Sequence, residues 1–164
     1  DRVVRETGQL VSREHGASIQ SEQKGEGPML LTIERVLVLK SVTIFDHVPE
    51  EVLAALSAEM EEIEVEADTS VYEKGGSGRT MYIVVSGLLK VHDGDRIFVT
   101  LKERDFFGEL TTLDPAPHSA TVTAVEKSTL LGLDREALYE LMSDHPEVLR
   151  EIIHELCERL RRKR

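Results

Sequence analysis

The chain has a single cysteine, Cys157, among its 164 residues. That excludes a disulfide framework and a cysteine-based zinc site, and it suits a reducing compartment. No apolar run approaches the roughly eighteen residues of a membrane span, so direct membrane insertion is not expected. Basic charge is also scarce: 20 Lys and Arg stand against 31 Asp and Glu, a formal net charge of −11. Such a field repels phosphate polymers and anionic surfaces, so nucleic-acid binding would need a local basic patch. The only dense patch is the tail containing Arg159, Arg161, Arg162, Lys163 and Arg164. There cations complement the negative end of a helix dipole, and no nucleic-acid partner is expected within this chain.

Catalytic signatures are missing too. The six histidines are scattered, with no pair at metal-ligand spacing, and there is no Gly-x-Ser-x-Gly elbow or reactive-cysteine motif. No metal and no enzymatic activity are expected. Residues 1 to 20 lack the apolar segment of a signal peptide. Together with the cysteine usage this makes a cytoplasmic location the expectation, and the ragged start suggests a piece of something longer.

Residues 1–28 mix charge, Gly and Ser with few apolar anchors, a composition that cannot offset its ordering entropy. They read as a linker or the end of a preceding domain. From Met29 the texture becomes helical: Leu30, Ile33, Val36 and Leu37 recur at helical spacing, and "PEEVLAALSAEMEE" places Pro49 in a first turn with Val52, Leu53 and Leu56 on a buried face.

The period then drops to two. Ile63, Val65 and Ala67 alternate with Glu62, Glu64 and Glu66, a half-exposed strand. "TMYIVVSG" reads as a buried strand, and "LLKVHDGDRIFVTLK" as a hairpin turning at Asp93-Gly94, its second arm alternating through Ile97, Val99 and Leu101. "SATVTAVEKSTLLGL" supplies two more strands. Short strands at these intervals predict an antiparallel sandwich or barrel from 62 to 133. Asp134 is placed to cap "REALYELM", and Pro146 starts a last helix with Leu149, Ile152, Ile153, Leu156 and Leu160 in one stripe.

One stretch concentrates ligand chemistry: "FGELTTLDPAPHSATV", residues 107–122. Gly108 permits close backbone approach, Glu109 offers two acceptor oxygens to a pair of sugar hydroxyls, and "LTTL" can open a short helical turn. His118, Ser119 and Ala120 bring N–H groups and one titratable ring to the head of the next strand. Taken alone, a Gly-Glu pair and a proline-marked loop are equally compatible with an ordinary turn.

The stretch resembles the phosphate-binding cassette of the cyclic nucleotide-binding domain family, which places Phe-Gly-Glu-Leu before a short helix and Pro-Arg-Ser/Ala-Ala-Thr-Val after it. Phe107, Gly108, Glu109 and Leu110 match the first part, and Pro117, Ser119, Ala120, Thr121 and Val122 the second. "VYEKGGSGRTMYIVVSGLLKV" is similar to the family's glycine-punctuated strand pair, with Gly75, Gly78 and Gly87 in place. The resemblance implies a mainly β jelly roll with N-terminal helices and C-terminal closing helices over residues 29–164. It further implies a non-enzymatic regulatory domain that needs no cofactor and takes a cyclic mononucleotide, cyclic AMP or cyclic GMP, at Phe107, Gly108, Glu109, Leu110, His118, Ser119 and Ala120.

His118 departs from the pattern, standing where the family usually has the arginine that holds the cyclic phosphate. Imidazole is mostly neutral at pH 7 and has no bidentate fork, which implies weak or altered binding. Gly76 and Arg79 depart as well, and Arg79 is expected on the surface. The alternative is a structural or protein-contact module that keeps the fold without the ligand. Implied partners are a second copy, through the last helix, and the remainder of a larger polypeptide. "MLLTIERVLVLKSVTIF" resembles forms fused to bacterial helical-repeat or transporter-like proteins.

Overall fold

The computed structural model describes residues 30–163; the expected linker, 1–28, lies outside them. The chain divides into two compact units, one holding Glu61–Arg135 and the other Leu30–Met60 with the segment from Glu136 onward.

Among the described residues the first unit contains eight strands: β1 (Glu61–Val65), β2 (Ser70–Tyr72), β3 (Thr80–Ser86), β4 (Leu89–Asp93), β5 (Arg96–Leu101), β6 (Phe106–Phe107), β7 (Thr121–Ala124) and β8 (Ser128–Asp134). They form two antiparallel four-stranded sheets, β1-β8-β3-β6 and β2-β7-β4-β5. Both sheets contribute to one apolar cluster: Ile63, Val65, Val84 and Leu130 from the first meet Val71, Leu89, Leu101, Val122 and Ala124 from the second. This is the expected β-sandwich, its alternating residues interdigitating between layers.

Local sequence accounts for the strands. In β1 the alternation buries Ile63 and Val65 while the Glu face turns outward, where Lys127 Nζ lies 3.7 Å from Glu64 and 3.6 Å from Glu66. β3 is buried from Met81 to Val84 because it is central, flanked by β8 and β6. Between β3 and β4 the chain turns at Gly87, whose φ of +102° belongs to glycine. A methyl group there would sit 2.2 Å from Ser128 Oγ.

The hairpin differs by one residue from expectation, with Gly94 and Asp95 forming its loop, since Asp93 pairs with Arg96. His92 pins this turn: Nδ1 lies 2.8 Å from the Gly94 carbonyl and Nε2 2.7 Å from Thr123 Oγ1. Only Leu101 of β5 is buried, although the alternation there predicts a half-buried strand. β5 is a sheet edge, and its register with β4 passes from Val91↔Val99 to His92↔Ile97, leaving Phe98 as an extra residue. The bulge breaks the inward face, and the Arg96 guanidinium sits 5.1 Å from the Phe98 ring centre.

The second unit is helical: α1 (Thr32–Lys40), a 3-10 turn (Thr43–Phe45), α2 (Glu50–Glu59), α4 (Arg135–Asp144, whose first residue closes the first unit) and α5 (Pro146–Arg162). In α1 the buried residues are Arg35, Val36 and Leu39, while Ile33 and Leu37 are exposed. Arg35 turns inward because its Nη1 donates to the carbonyls of Ser57 (2.7 Å) and Met60 (2.9 Å) at the end of α2. On α2, Leu53 and Leu56 are buried as expected and Val52 is half-buried. On α5, Val148 and Ile152 are buried, whereas Leu149, Ile153 and Leu160 of the expected stripe are exposed. No helix among the described residues is long and apolar enough to cross a membrane.

Candidate functional site

β6 delivers the chain to the 107–122 stretch. Its two residues pair with the centre of β3, Phe106 with Ile83 and Phe107 with Tyr82. The Phe107 ring belongs to the core and stacks on Tyr82 with ring centres 5.1 Å apart. Burial, followed by the charge of Glu61, pushes the Tyr82 phenol up to about 12, so it remains a neutral wall.

Gly108 then reverses the backbone at φ +81°; a methyl group there would lie 2.8 Å from the Thr80 carbonyl oxygen. Only glycine offers both that conformation and that closeness. The short helix α3 (Glu109–Leu113) follows at once. Five residues cannot sustain a helix unaided, and this one is held by side chains: the Thr112 hydroxyl donates to the Gly108 carbonyl at 2.7 Å and the Thr111 hydroxyl to the same oxygen at 3.3 Å. Glu109 is 2 % exposed, while Leu110 points outward.

The return path brings His118 back to α3. Its main chain is bonded in both directions to the glycine turn, Gly75 N–H donating to His118 O and His118 N–H to Gly76 O, each at 2.8 Å. Its ring is 5 % exposed and lies flat on Tyr72, centres 3.6 Å apart and planes 8° from parallel. Nδ1 approaches Thr111 Oγ1 at 3.4 Å. On the opposite side Nε2 faces Gly78, where a methyl group would stand only 2.6 Å away. Nε2 has no hydrogen-bond partner among the described residues. Burial lowers the imidazole pKa below its ordinary 6.5, so the ring is neutral at pH 7. Ser119 is exposed and Ala120 buried at the head of β7.

The structure therefore gathers Gly108, Glu109 and His118 around one α3 segment within a single unit, with Ser119 and Ala120 following His118 in the chain. Arg79 is at the surface as expected, its Nε 2.9 Å from Asp134 Oδ1. Four residues that surround the site carried no sequence signal of that role: Tyr72, Gly78 as the facing wall, Thr111, and Arg135. The Arg135 guanidinium donates to the carbonyls of Thr112 (2.7 Å), Thr111 (2.7 Å) and Gly78 (3.2 Å). Among the described residues no group of three His, Cys, Asp or Glu side chains converges as metal ligands.

A family model described as the cyclic nucleotide-binding domain matches residues 62–145. The chain belongs to the cyclic nucleotide-binding domain family. It is 29% identical over 130 residues to a CRP-like cAMP-activated global transcriptional regulator of Mycobacterium tuberculosis, covering 76% of this chain and 58% of that protein. The chain thus spans little more than half the length of that relative. Among solved structures it is similar to the N-terminal domain of a Streptomyces coelicolor transcriptional regulator, with 28% identity and a TM-score of 0.62 over 77% of this chain and 92% of the other. It is also similar to the regulatory domain of Toxoplasma gondii PKA crystallised with cAMP, with 32% identity and a TM-score of 0.61 over 66% and 43%. The double-sheet roll is the family's fold, and the 107–122 stretch lies inside the matched span.

Proposed function

We propose that this chain is a regulatory, non-catalytic domain that takes a cyclic mononucleotide, cyclic AMP or cyclic GMP, at the 107–122 cassette. Glu109 accepts from the sugar hydroxyls, the N–H groups of Leu110, Ser119 and Ala120 face the cyclic phosphate, and His118 stands where a cation would complete the clamp. The observation that carries this reading is the buried imidazole: a side chain 5 % exposed, packed beside α3 with one ring nitrogen unpartnered among the described residues. A buried polar atom without a partner costs free energy unless something meets it. The relative crystallised with cAMP and the CRP-like regulator named cAMP-activated support the ligand class.

The same imidazole makes the site weak. Neutral at pH 7, it offers one donor in place of a charged fork. A hydrogen bond to a charged group is worth about 1.5–3 kcal/mol, so affinity drops roughly ten- to a hundredfold against an arginine at this position. Occupancy would be passed on to a larger cytoplasmic polypeptide or to a second copy through the C-terminal helix. A second reading, a contact module that has lost its ligand, is favoured by one observation: the His118 ring already fills its slot against Tyr72 and Gly78.

Thermal shift with cyclic AMP and cyclic GMP at about pH 6 and about pH 8 separates the two. The ligand reading expects stabilisation that is larger at the lower pH, and a His118→Arg variant stabilised at both. Silence from parent and variant alike at both values leaves only the contact module.

A further inference from the structure

We propose that Arg135 is the positioning residue of the cassette: through three carbonyls it sets the placement of α3 and of the glycine turn around His118, so that ligand occupancy and the Arg135 bonds are coupled. The coupling to ligand rests on the reading above; the positioning itself does not.

Three observations converge. First, α3 ends after five residues, and no continuing helix donates to its last carbonyls; Asp114 N–H returns to Leu110 O at 2.8 Å, leaving the Thr111 and Thr112 oxygens to accept from Arg135. Second, the same guanidinium reaches the Gly78 carbonyl. It thereby ties together the two segments between which the imidazole is held, since Thr111 Oγ1 meets His118 Nδ1 and Gly78 faces Nε2. Third, the Arg135 backbone is itself fixed. Its N–H donates to Arg79 O at 2.8 Å, directly beyond the Thr80↔Asp134 rung that ends the β3–β8 ladder, and the neighbouring Arg79–Asp134 pair spans the same point.

Arg135 therefore works from a rigid ladder onto a short helix that cannot stand alone. It is also the first residue of α4 and the last of the first unit. A lysine cannot replace it, because a compact ammonium lacks the planar fork that serves acceptors on two separate segments.

The test compares parent, Arg135→Ala and Arg135→Lys by residue-resolved amide exchange and by calorimetric titration with cyclic AMP. In Arg135→Ala, exchange at residues 110–114 and 76–79 should quicken about tenfold or more, while Val122 and Leu130 stay within about twofold. Cyclic AMP affinity should fall about tenfold, and millimolar methylguanidinium should restore both readouts where equal methylammonium does not. Arg135→Lys should lie between, and it carries the test if the alanine variant does not fold. Equal loss of protection across both sheets, unchanged exchange at 110–114, or equally good rescue by methylammonium would each overturn the proposal. If the parent binds neither cyclic AMP nor cyclic GMP, the ligand reading fails by itself, and exchange with rescue still decides the positioning role.

Discussion

Adding one methyl group at Gly78 should be costly, and the cost should vanish when His118 is gone. The alanine Cβ would stand 2.6 Å from His118 Nε2 and 3.1 Å from Cε1, about 1 Å inside ordinary van der Waals contact. The ring cannot retreat, because Thr111 Oγ1 already stands 3.4 Å from Nδ1 on the far edge and Tyr72 is stacked 3.6 Å from one face. It must swing out of the slot, losing a stacked pair worth about 0.5–1.5 kcal/mol and part of its burial, for a total near 2 kcal/mol. The φ of Gly78 lies outside the left-handed range, so the penalty is steric and belongs to the imidazole. Urea melts of parent, Gly78→Ala, His118→Ala and the double variant form the cycle. The singles should each lose about 1–2 kcal/mol, and the double should be no worse than His118→Ala, a coupling of about 1–2 kcal/mol. Additivity within about 0.5 kcal/mol would refute the packed geometry of the slot.

Other outcomes follow from the same structure. The native imidazole resists protonation more than an unfolded one, so the unfolded chain binds the extra proton below about pH 6.5. The stabilisation that His118 contributes is complete above that pH and lost as pH falls toward the native pKa. His118→Phe, which keeps a ring against Tyr72, should flatten this part of a Tm-versus-pH curve, and an unchanged slope would count against it. Arg35→Met removes the guanidinium from the Met60 carbonyl and from Ser57 O, which keeps only the Met60 N–H; a loss of about 1–3 kcal/mol is expected in chemical denaturation, and less than about 0.5 would show the contact to be idle. Gly87→Ala combines a positive φ with a collision against Ser128, and should cost about 3 kcal/mol or more, read as loss of cooperative melting.

The strands that could be read from letters were those whose environment is set by one period. β1 alternates because one face meets the core, and β3 is buried from Met81 to Val84 because it is central. β2 and β6 hold three and two residues, too few to show any period, and exist through pairing with β7 and β3. The misleading patterns were those in which an apolar period continues onto a surface, as with Ile97 and Val99 on the bulged edge, Ile33 and Leu37 on α1, and Ile153 and Leu160 on α5. Arg35 inverts the rule, a charge drawn inward by the carbonyls of Ser57 and Met60 at the end of α2, which only the fold brings near.

At the candidate site, Phe107, Gly108, Glu109, Leu110, His118, Ser119 and Ala120 could be singled out together because they fall in two short runs of one stretch, residues 107–122. Their surroundings could not. Tyr72 and Gly78 come from one distant segment and Arg135 from another, and nothing in "VYEKGGSG" or "LDREAL" marks a residue that will wall or brace His118. The histidine at 118 was plain in the sequence, but that its ring lies flat and buried on Tyr72 needed the pairing of β2 with β7 to become apparent.

The most direct measurement is an NMR titration of the parent protein with cyclic AMP, following backbone amides and the His118 ring carbons across pH. The account predicts shifts concentrated at Gly108, Leu110, Ser119 and Ala120, with a His118 pKa below 6.5 without nucleotide that rises once the phosphate is bound. Shifts confined to other parts of the chain, or a His118 ring that titrates identically with and without nucleotide, would contradict it.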